Sequence, residues 1–167
     1  MPTLTYTTID KSSWGSGPWQ TEPDKIQWTD KATGLPCIAR RAGALGHWCG
    51  YVGVSSDHLL YEEEDPNEKD QRLEVHGGIT HTGKCQENVD EAIAICHKPE
   101  PGQSDNVWWF GFDCGHWQDL SPGHEARMKR RLGKDYEQPT SCNYRDLEFV
   151  KKECTNLAQQ LKAQEIP

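Results

Sequence analysis

Short apolar segments separated by turn-forming residues are the feature that most constrains how this chain can fold. The clearest of them are bounded by Gly, Pro or Asp and occupy residues 37–41, 48–54, 73–76, 92–97 and 107–112. Apolar runs of this length between such residues are typical of β-strands. Alternating residues at 3–8 and 25–29 predict two further short strands. We therefore predict a sheet of about four to six strands, antiparallel or mixed in direction.

The last part of the chain predicts an amphipathic helix. Its apolar residues recur at spacings of three and four, at Leu147, Val150, Cys154, Leu157 and Leu161. Three residues upstream are candidate N-caps: Thr140, Ser141 and Asn143. Strands first and a closing helix last predict an α+β fold with this C-terminal helix packed on the sheet. At 167 residues, the chain fits a single globular domain over 1–167.

The net charge of the chain limits the classes of molecule that it can be expected to bind. A formal net charge of -8 argues against a protein that wraps the phosphate backbone of DNA or RNA, because such binding depends on clustered Lys and Arg. A small anionic molecule remains open as a partner. No apolar run approaches the ~20 residues of a membrane span, and no secretion signal is recognisable. We therefore predict a cytoplasmic protein without membrane contact.

The cysteines do not follow the pattern of a disulfide framework. They stand at 37, 49, 85, 96, 114, 142 and 154, are odd in number and include no CxxC pair. Because disulfides persist mainly in secreted proteins, we expect free thiols, with metal binding as the second interpretation.

Two charged stretches interrupt the apolar pattern. Residues 61–70 (YEEEDPNEKD) predict a solvated acidic connector, with a divalent-cation site as the alternative. Residues 127–134 (RMKRRLGK) predict a solvated loop after Pro122 and Gly123. The alternative for this stretch is that its basic side chains close over a phosphate: Arg127, Lys129, Arg130 and Arg131.

The first candidate site is the segment 76–82 (HGGITHT), which follows a predicted strand. Gly77 and Gly78 allow positive φ angles, so their backbone N–H groups can approach a phosphate or an oxyanion closely. We predict that Gly77, Gly78 and Thr80 bind a ligand and that His76 acts as a proton donor, a proton acceptor or a metal ligand. The alternative is a tight turn that carries an incidental histidine.

The second candidate site is the segment 110–119 (FGFDCGHWQD), in which an apolar strand ends in several polar side chains. If the chain turns there, Asp113, His116 and Asp119 would join His76 as four nitrogen and oxygen ligands of a divalent metal, zinc or manganese. No HExxH, paired CxxC or EF-hand spacing supports this prediction. Core residues that satisfy buried hydrogen bonds are the alternative.

Cys114 and His116 also allow a thiolate nucleophile with its imidazole base, and His76 or His97 is an equally good base for this thiol. The alternative is an inert buried thiol, a common core residue. The GxSxG, Walker A and GxGxxG patterns are absent from the sequence, which argues against a serine hydrolase and a P-loop enzyme.

Aromatic and basic residues supply further ligand contacts. One or two of the seven tryptophans are expected to stack on a planar ligand such as a nucleobase, and we assign Trp109 to this role. Strand alternation sends Trp108 and Trp109 to opposite faces, so at most one of them lines a given pocket. We predict that Arg145, just before the C-terminal helix, contacts an anionic group of the ligand.

Several motifs together resemble a family of small proteins encoded by bacteria and their phages. They are Gly17-Pro18-Trp19, EPDKIQWTD at 22–30, CGYVGV at 49–54, HGGIT at 76–80, WWFGFDCGH at 108–116 and YRDL at 144–147. The resemblance spans most of the chain. It implies a bacterial cell or a phage-infected host as the setting, and it carries no activity or catalytic residue with it.

These patterns predict a site for a small, phosphate- or nucleotide-bearing molecule. In its enzymatic form the protein is a metal-dependent hydrolase that uses His76, Asp113, Cys114 and His116. Its alternative is a non-catalytic protein that sequesters a nucleotide-like signal or a host partner. A third interpretation is a structural or interaction protein in which these residues only satisfy buried hydrogen bonds.

Overall fold

The computed structural model describes residues 3–67 and 73–164. Within these residues an antiparallel sheet has six strands: β1 (Leu4–Tyr6), β2 (Lys25–Thr29), β3 (Pro36–Arg41), β4 (Trp48–Ser55), β5 (His81–Lys84) and β6 (Val107–Asp113). Their order across the sheet is β1-β2-β3-β4-β6-β5, and every pair is antiparallel. With the C-terminal helix against it, the sheet confirms the predicted α+β class.

Two α-helices follow the sheet, α1 (Pro122–Leu132) and α2 (Leu147–Ala163). The predicted N-caps of α2 are wrong. Its N-cap is Asp146, whose carboxylate accepts a hydrogen bond from the Phe149 backbone N–H at 2.9 Å. Asp146 lies closer to the first helical turn than Thr140, Ser141 or Asn143, so only its side chain caps the helix.

Strand alternation divides the core between the two faces of the sheet. Trp108, Phe110 and Phe112 of β6 face α2 and pack with its buried residues, which are Leu147, Val150, Cys154, Leu157, Ala158 and Leu161. Val107 and Trp109 point to the opposite face, where they contact Ile95 of the loop between β5 and β6. The sheet is therefore covered by a helix on one side and by this loop on the other.

Some predicted elements differ from the structure. Residues 73–76 and 92–97 form turns and extended loops, and of their apolar side chains Leu73, Ala94 and Ile95 are buried because these loops cover the sheet. The basic stretch 127–134 lies mostly in α1, so its prediction as a loop is wrong. Pro122 and Gly123 begin the helix, and Pro is favourable there because the first helical N–H needs no partner within the helix.

The acidic connector is described only as far as Asn67, where it forms turns, and its residues 68–70 lie outside the described range. The described helices do not combine the length and the apolar character that crossing a bilayer requires.

The prediction that the cysteines are free thiols is wrong for one pair. Cys85 and Cys96 form a disulfide that closes the loop between β5 and β6. Spacing in the sequence did not reveal this pair, because it is the antiparallel return of the loop that brings the two residues together. Four other cysteines are buried free thiols: Cys37, Cys49, Cys114 and Cys154.

A buried polar network fixes the start of α2. The Arg41 side chain is fully buried, and its guanidinium contacts Asp24 at 3.1 Å and the Tyr144 hydroxyl at 2.9 Å. Glu22 accepts hydrogen bonds from the Tyr144 hydroxyl at 2.6 Å and from the Leu147 backbone N–H at 2.7 Å. Because Tyr144 and Leu147 flank Arg145, this network also sets the position of Arg145.

Candidate functional site

A buried carboxylate, Asp119, lies at the centre of the candidate site. Its side chain is 1% exposed, and its oxygens accept hydrogen bonds from His76 Nε2 at 2.8 Å and from Arg145 Nε at 3.0 Å. The His116 backbone N–H donates a third bond at 3.1 Å. Burial alone would raise the pKa of Asp119, but these three donors together lower it below its usual value of 3.8. Asp119 is therefore ionised at neutral pH.

His76 is held in place from several directions. Its backbone N–H donates to Glu153 of α2 at 3.1 Å, and its ring packs edge-on against Phe149 with the centroids 5.2 Å apart. Because Nε2 is bonded to Asp119, Nδ1 is the nitrogen left for other partners. A carboxylate that fixes one nitrogen of a partly exposed imidazole also sets the tautomer of that imidazole.

His116 packs against the glycine turn. A Cβ placed on Gly77 would lie 1.9 Å from His116 Nε2, so this close approach requires glycine. The His76 and His116 ring centroids are 5.7 Å apart. His116 Nε2 lies 3.5 Å from an Asp113 oxygen, yet it has no hydrogen-bond partner among the described residues. A covered nitrogen without a partner is energetically unfavourable, and because Gly77 covers this atom, it can contact a ligand only if the glycine turn moves.

A cavity of about 460 Å³ opens beside this cluster. It is lined by Leu45, Gly115, His116, Trp117, Asp119, Ser121, His124, Glu125, Met128, Tyr136, Pro139 and Cys142. The Trp117 side chain is 81% exposed, more than any other large hydrophobic residue among those described. An exposed indole beside a cavity offers a flat surface on which a planar ring can stack.

His47 supports this cavity from below. Its Nδ1 lies 3.1 Å from the Ser121 hydroxyl, and its ring leaves no room for a side chain at Gly115. Burial lowers the pKa of His47 below its ordinary value of 6.5, so this imidazole is neutral at pH 7. Asp113 closes the turn by accepting the Gly115 N–H at 2.9 Å.

The ligand atoms of the predicted metal-binding residues do not lie close enough together in this structure to share one metal ion. In residues 3–67 and 73–164, one group of three ligands lies close enough together to share an ion, and it consists of Cys85, Cys96 and Asp105. Asp119 is occupied by His76 and Arg145, a cation that would repel a metal. A zinc or manganese ion at His76, Asp113, His116 and Asp119 therefore stays a prediction that requires Arg145 to move away.

The remaining predicted residues are distributed around and outside the cluster. Cys114 is 1% exposed among core residues facing α2, and burial raises its pKa well above 9, so it is a protonated thiol rather than a nucleophile. Trp109 is fully buried on the opposite sheet face and does not line the cavity. Thr80 bonds through its backbone N–H to the Gly111 carbonyl, and Gly78 faces open space.

Sequence reasoning missed the contribution of α2 to the site. Phe149 packs edge-on against His76 and lies under the Arg145 guanidinium at 4.9 Å, and Glu153 accepts a hydrogen bond from the His76 backbone N–H. The spacing of four between Phe149 and Glu153 places both residues on one side of α2 and was an available signal, whereas Arg145 precedes the helix. No sequence pattern indicated that Trp117 would be exposed.

A second cleft, of about 600 Å³, lies between the turn that joins β2 to β3 and Lys151 of α2. Ile26 and Trp28 line it, and it contains no histidine or cysteine. The cavity at His116 and Asp119 is the candidate functional site because it adjoins the cluster of His76, Asp119 and Arg145.

Comparison of this chain with protein-family models, with curated proteins and with solved structures finds no match in any of the three. The resemblance to bacterial and phage proteins accordingly stays a prediction.

Proposed function

We propose that the cavity beside His116 binds a small phosphate-bearing molecule with a planar ring, such as a nucleotide. The observation that carries this proposal is the arrangement around Asp119. One buried carboxylate holds His76 and Arg145 in fixed positions, and the unpartnered nitrogen of His116 lies nearby. Imidazole and guanidinium groups are the usual donors to phosphate oxygens. Trp117 supplies the stacking surface for the ring.

The proposal does not need a metal ion. Arg145 already supplies positive charge next to Asp119, which is the role that a divalent metal would have with a phosphate. The protein in this form captures or sequesters its ligand, which agrees with the predicted alternative of a non-catalytic binding protein. The predicted roles of zinc or manganese and of Cys114 are not part of it.

Hydrolysis of the bound molecule is the second candidate function. It is favoured by the His76–Asp119 pair, because a buried carboxylate on one imidazole nitrogen prepares the other nitrogen to accept a proton from water. In this reaction His116, whose ring centroid lies 5.7 Å from that of His76, would donate a proton to the leaving group. Such acid–base hydrolysis would continue in the presence of a metal chelator.

Isothermal titration calorimetry with AMP tests the proposal, with adenosine as the phosphate-free probe. We expect AMP to bind the unaltered chain, and we expect Arg145→Gln and His116→Ala each to weaken binding by about tenfold, since a hydrogen bond to a charged group contributes about 1.5–3 kcal/mol. Lys152→Gln, an exposed position on α2, is the matched control and should bind AMP normally. Equal affinity of all four proteins, or equal affinity for AMP and adenosine, would reject the phosphate site.

Phosphorus NMR of the same AMP mixtures, with chelator added, separates binding from turnover. Release of inorganic phosphate that is lost in His76→Gln supports hydrolysis. An unchanged AMP spectrum over a long incubation supports sequestration.

A further inference from the structure

The disulfide between Cys85 and Cys96 lies on the opposite side of the sheet from the proposed phosphate site. It belongs to the loop that covers Trp109, and its two cysteines are partly exposed. A cavity of about 610 Å³ opens directly onto them and is lined by Lys84, Cys85, Gln86, Glu87, Asn88, Cys96, Asp105 and Asn106. Reagents of small size can therefore reach both sulfur atoms.

Asp105 completes a set of three potential metal ligands there. One carboxylate oxygen of Asp105 and the sulfur atoms of Cys85 and Cys96 all lie within 4.8 Å of one another. Two thiolates and a carboxylate form a donor set that suits zinc, with the fourth tetrahedral position left to solvent. Only the bond between the two sulfur atoms prevents this set from binding a metal.

The indole N–H of Trp109 donates a hydrogen bond to the sulfur of Cys85 at 3.2 Å. A hydrogen bond of this kind favours a thiolate, because a negatively charged sulfur is the better acceptor. Trp109 is itself fully buried, so the donor is fixed in position. The site thus contains a feature that stabilises the ionised form required for a metal ligand.

The loop has anchors that do not depend on the disulfide. The buried Lys25 side chain donates to the carbonyl groups of Glu91 at 2.5 Å and of Cys96 at 2.9 Å. Arg40 donates to the Ile93 carbonyl at 2.8 Å, and Ile95 is buried against the sheet. Breaking the disulfide therefore leaves the two cysteines next to each other.

We propose that Cys85, Cys96 and Asp105 form a redox-gated zinc site, closed as a disulfide and open to one zinc ion when reduced. A dithiol reductant supplies two electrons and two protons, so that the bond between the sulfur atoms breaks, two thiols form and the reductant becomes its own disulfide. Zinc then displaces the two thiol protons and binds two thiolates and the Asp105 carboxylate. The chain binds zinc in a reducing compartment and holds the disulfide in an oxidising one.

Titration of the full chain with Co²⁺ and Zn²⁺, before and after reduction by a dithiol and its removal, tests this proposal. Cobalt reports bound thiolates through its sulfur-to-metal absorption band. We expect one ion per reduced chain, none per oxidised chain, and displacement of cobalt by zinc. Asp105→Asn should keep the disulfide but lower the affinity for zinc by about tenfold or more. Cys142→Ser, which removes a partly exposed thiol elsewhere, should bind zinc normally.

Alkylation of the reduced, unaltered chain with iodoacetamide provides a measurement that needs no variant. Zinc should protect Cys85 and Cys96 from the reagent and leave the labelling of Cys142 unchanged, as read by peptide mass spectrometry. Absence of zinc binding in the reduced chain, equal affinity of Asp105→Asn, or unchanged labelling of Cys85 and Cys96 would each overturn the proposal. None of these results bears on the AMP titration, because that site shares no residue with this one.

Discussion

Single residues control the geometry around Asp119, and Gly77 is the sharpest case. Gly77 and Gly78 both have positive φ angles, +71° and +83°, which strain any other residue by roughly 1 kcal/mol. Only Gly77 contacts His116. We expect both Gly77→Ala and Gly78→Ala to lower the free energy of unfolding, measured with urea, and Gly77→Ala to lower it further because its Cβ also displaces His116. Only Gly77→Ala should weaken AMP binding. Equal affinity of both variants for AMP would show that His116 does not contact the ligand.

The charge of Asp119 is a second single-residue feature whose contribution to stability can be measured. Asp119→Asn removes the negative charge that accepts from His76, Arg145 and the His116 backbone, and we expect it to lower the free energy of unfolding by about 2 kcal/mol. Glu137→Gln, at an exposed position outside the helices, is the control and should leave stability within about 0.5 kcal/mol. An unchanged free energy of unfolding for Asp119→Asn would show that the charge of Asp119 does not stabilise its contacts with these partners.

The sequence predicted some of these residues and missed others for physical reasons. His76, Gly77, His116 and Asp119 were predicted to share a site, and their side chains or backbones are in contact. The nucleophilic role of Cys114 does not fit, because strand alternation continues past β6 and turns the thiol into the core. The hydrogen bond between Arg145 and Asp119 could not be predicted from local sequence patterns, because 26 residues separate the two positions.

At the scale of elements, the start of α2 joins the fold to the site. Asp146→Ala removes the N-cap, and we expect it to lower the free energy of unfolding by about 1 kcal/mol. Because Arg145 precedes the cap, the same change should also weaken AMP binding. Urea unfolding and calorimetry measure the two effects. Asp146→Asn, which keeps a capping oxygen, is the matched variant and should retain most of both properties.

The predictability of each element follows from what holds it in place. The strands β3, β4 and β6 were predicted within a residue or two because each is an apolar run bounded by turn-forming residues, and β2 was predicted from its alternating residues. β5 (His81–Lys84) was missed, since it is short and polar and forms through its pairing with β6. Leu73, Ala94 and Ile95 are buried although they lie in loops, and sequence periodicity does not distinguish such residues from those of a buried strand.

Buried histidines determine how the whole molecule responds to acid. Burial lowers the pKa of His47, His81 and His97 below 6.5, so below that pH the unfolded chain binds protons that the native chain does not. Stability is therefore fully present above pH 6.5 and is lost as the pH falls. Urea unfolding at pH 7.5, 6.5 and 5.5 should show a steady decrease, and His81→Gln should reduce its slope. Constant stability over this range would contradict the burial of these rings.

Contact of His76 and His116 with a phosphate group can be measured in long-range ¹H–¹⁵N spectra of the histidine rings during titration with AMP. We expect the ring nitrogens of His76 and His116 to shift and to saturate together. The ring of His58, held by the Leu161 carbonyl and the Leu60 backbone N–H, should stay unchanged. AMP that binds without shifting His76 or His116, or that leaves every ring unchanged, would contradict the proposed function.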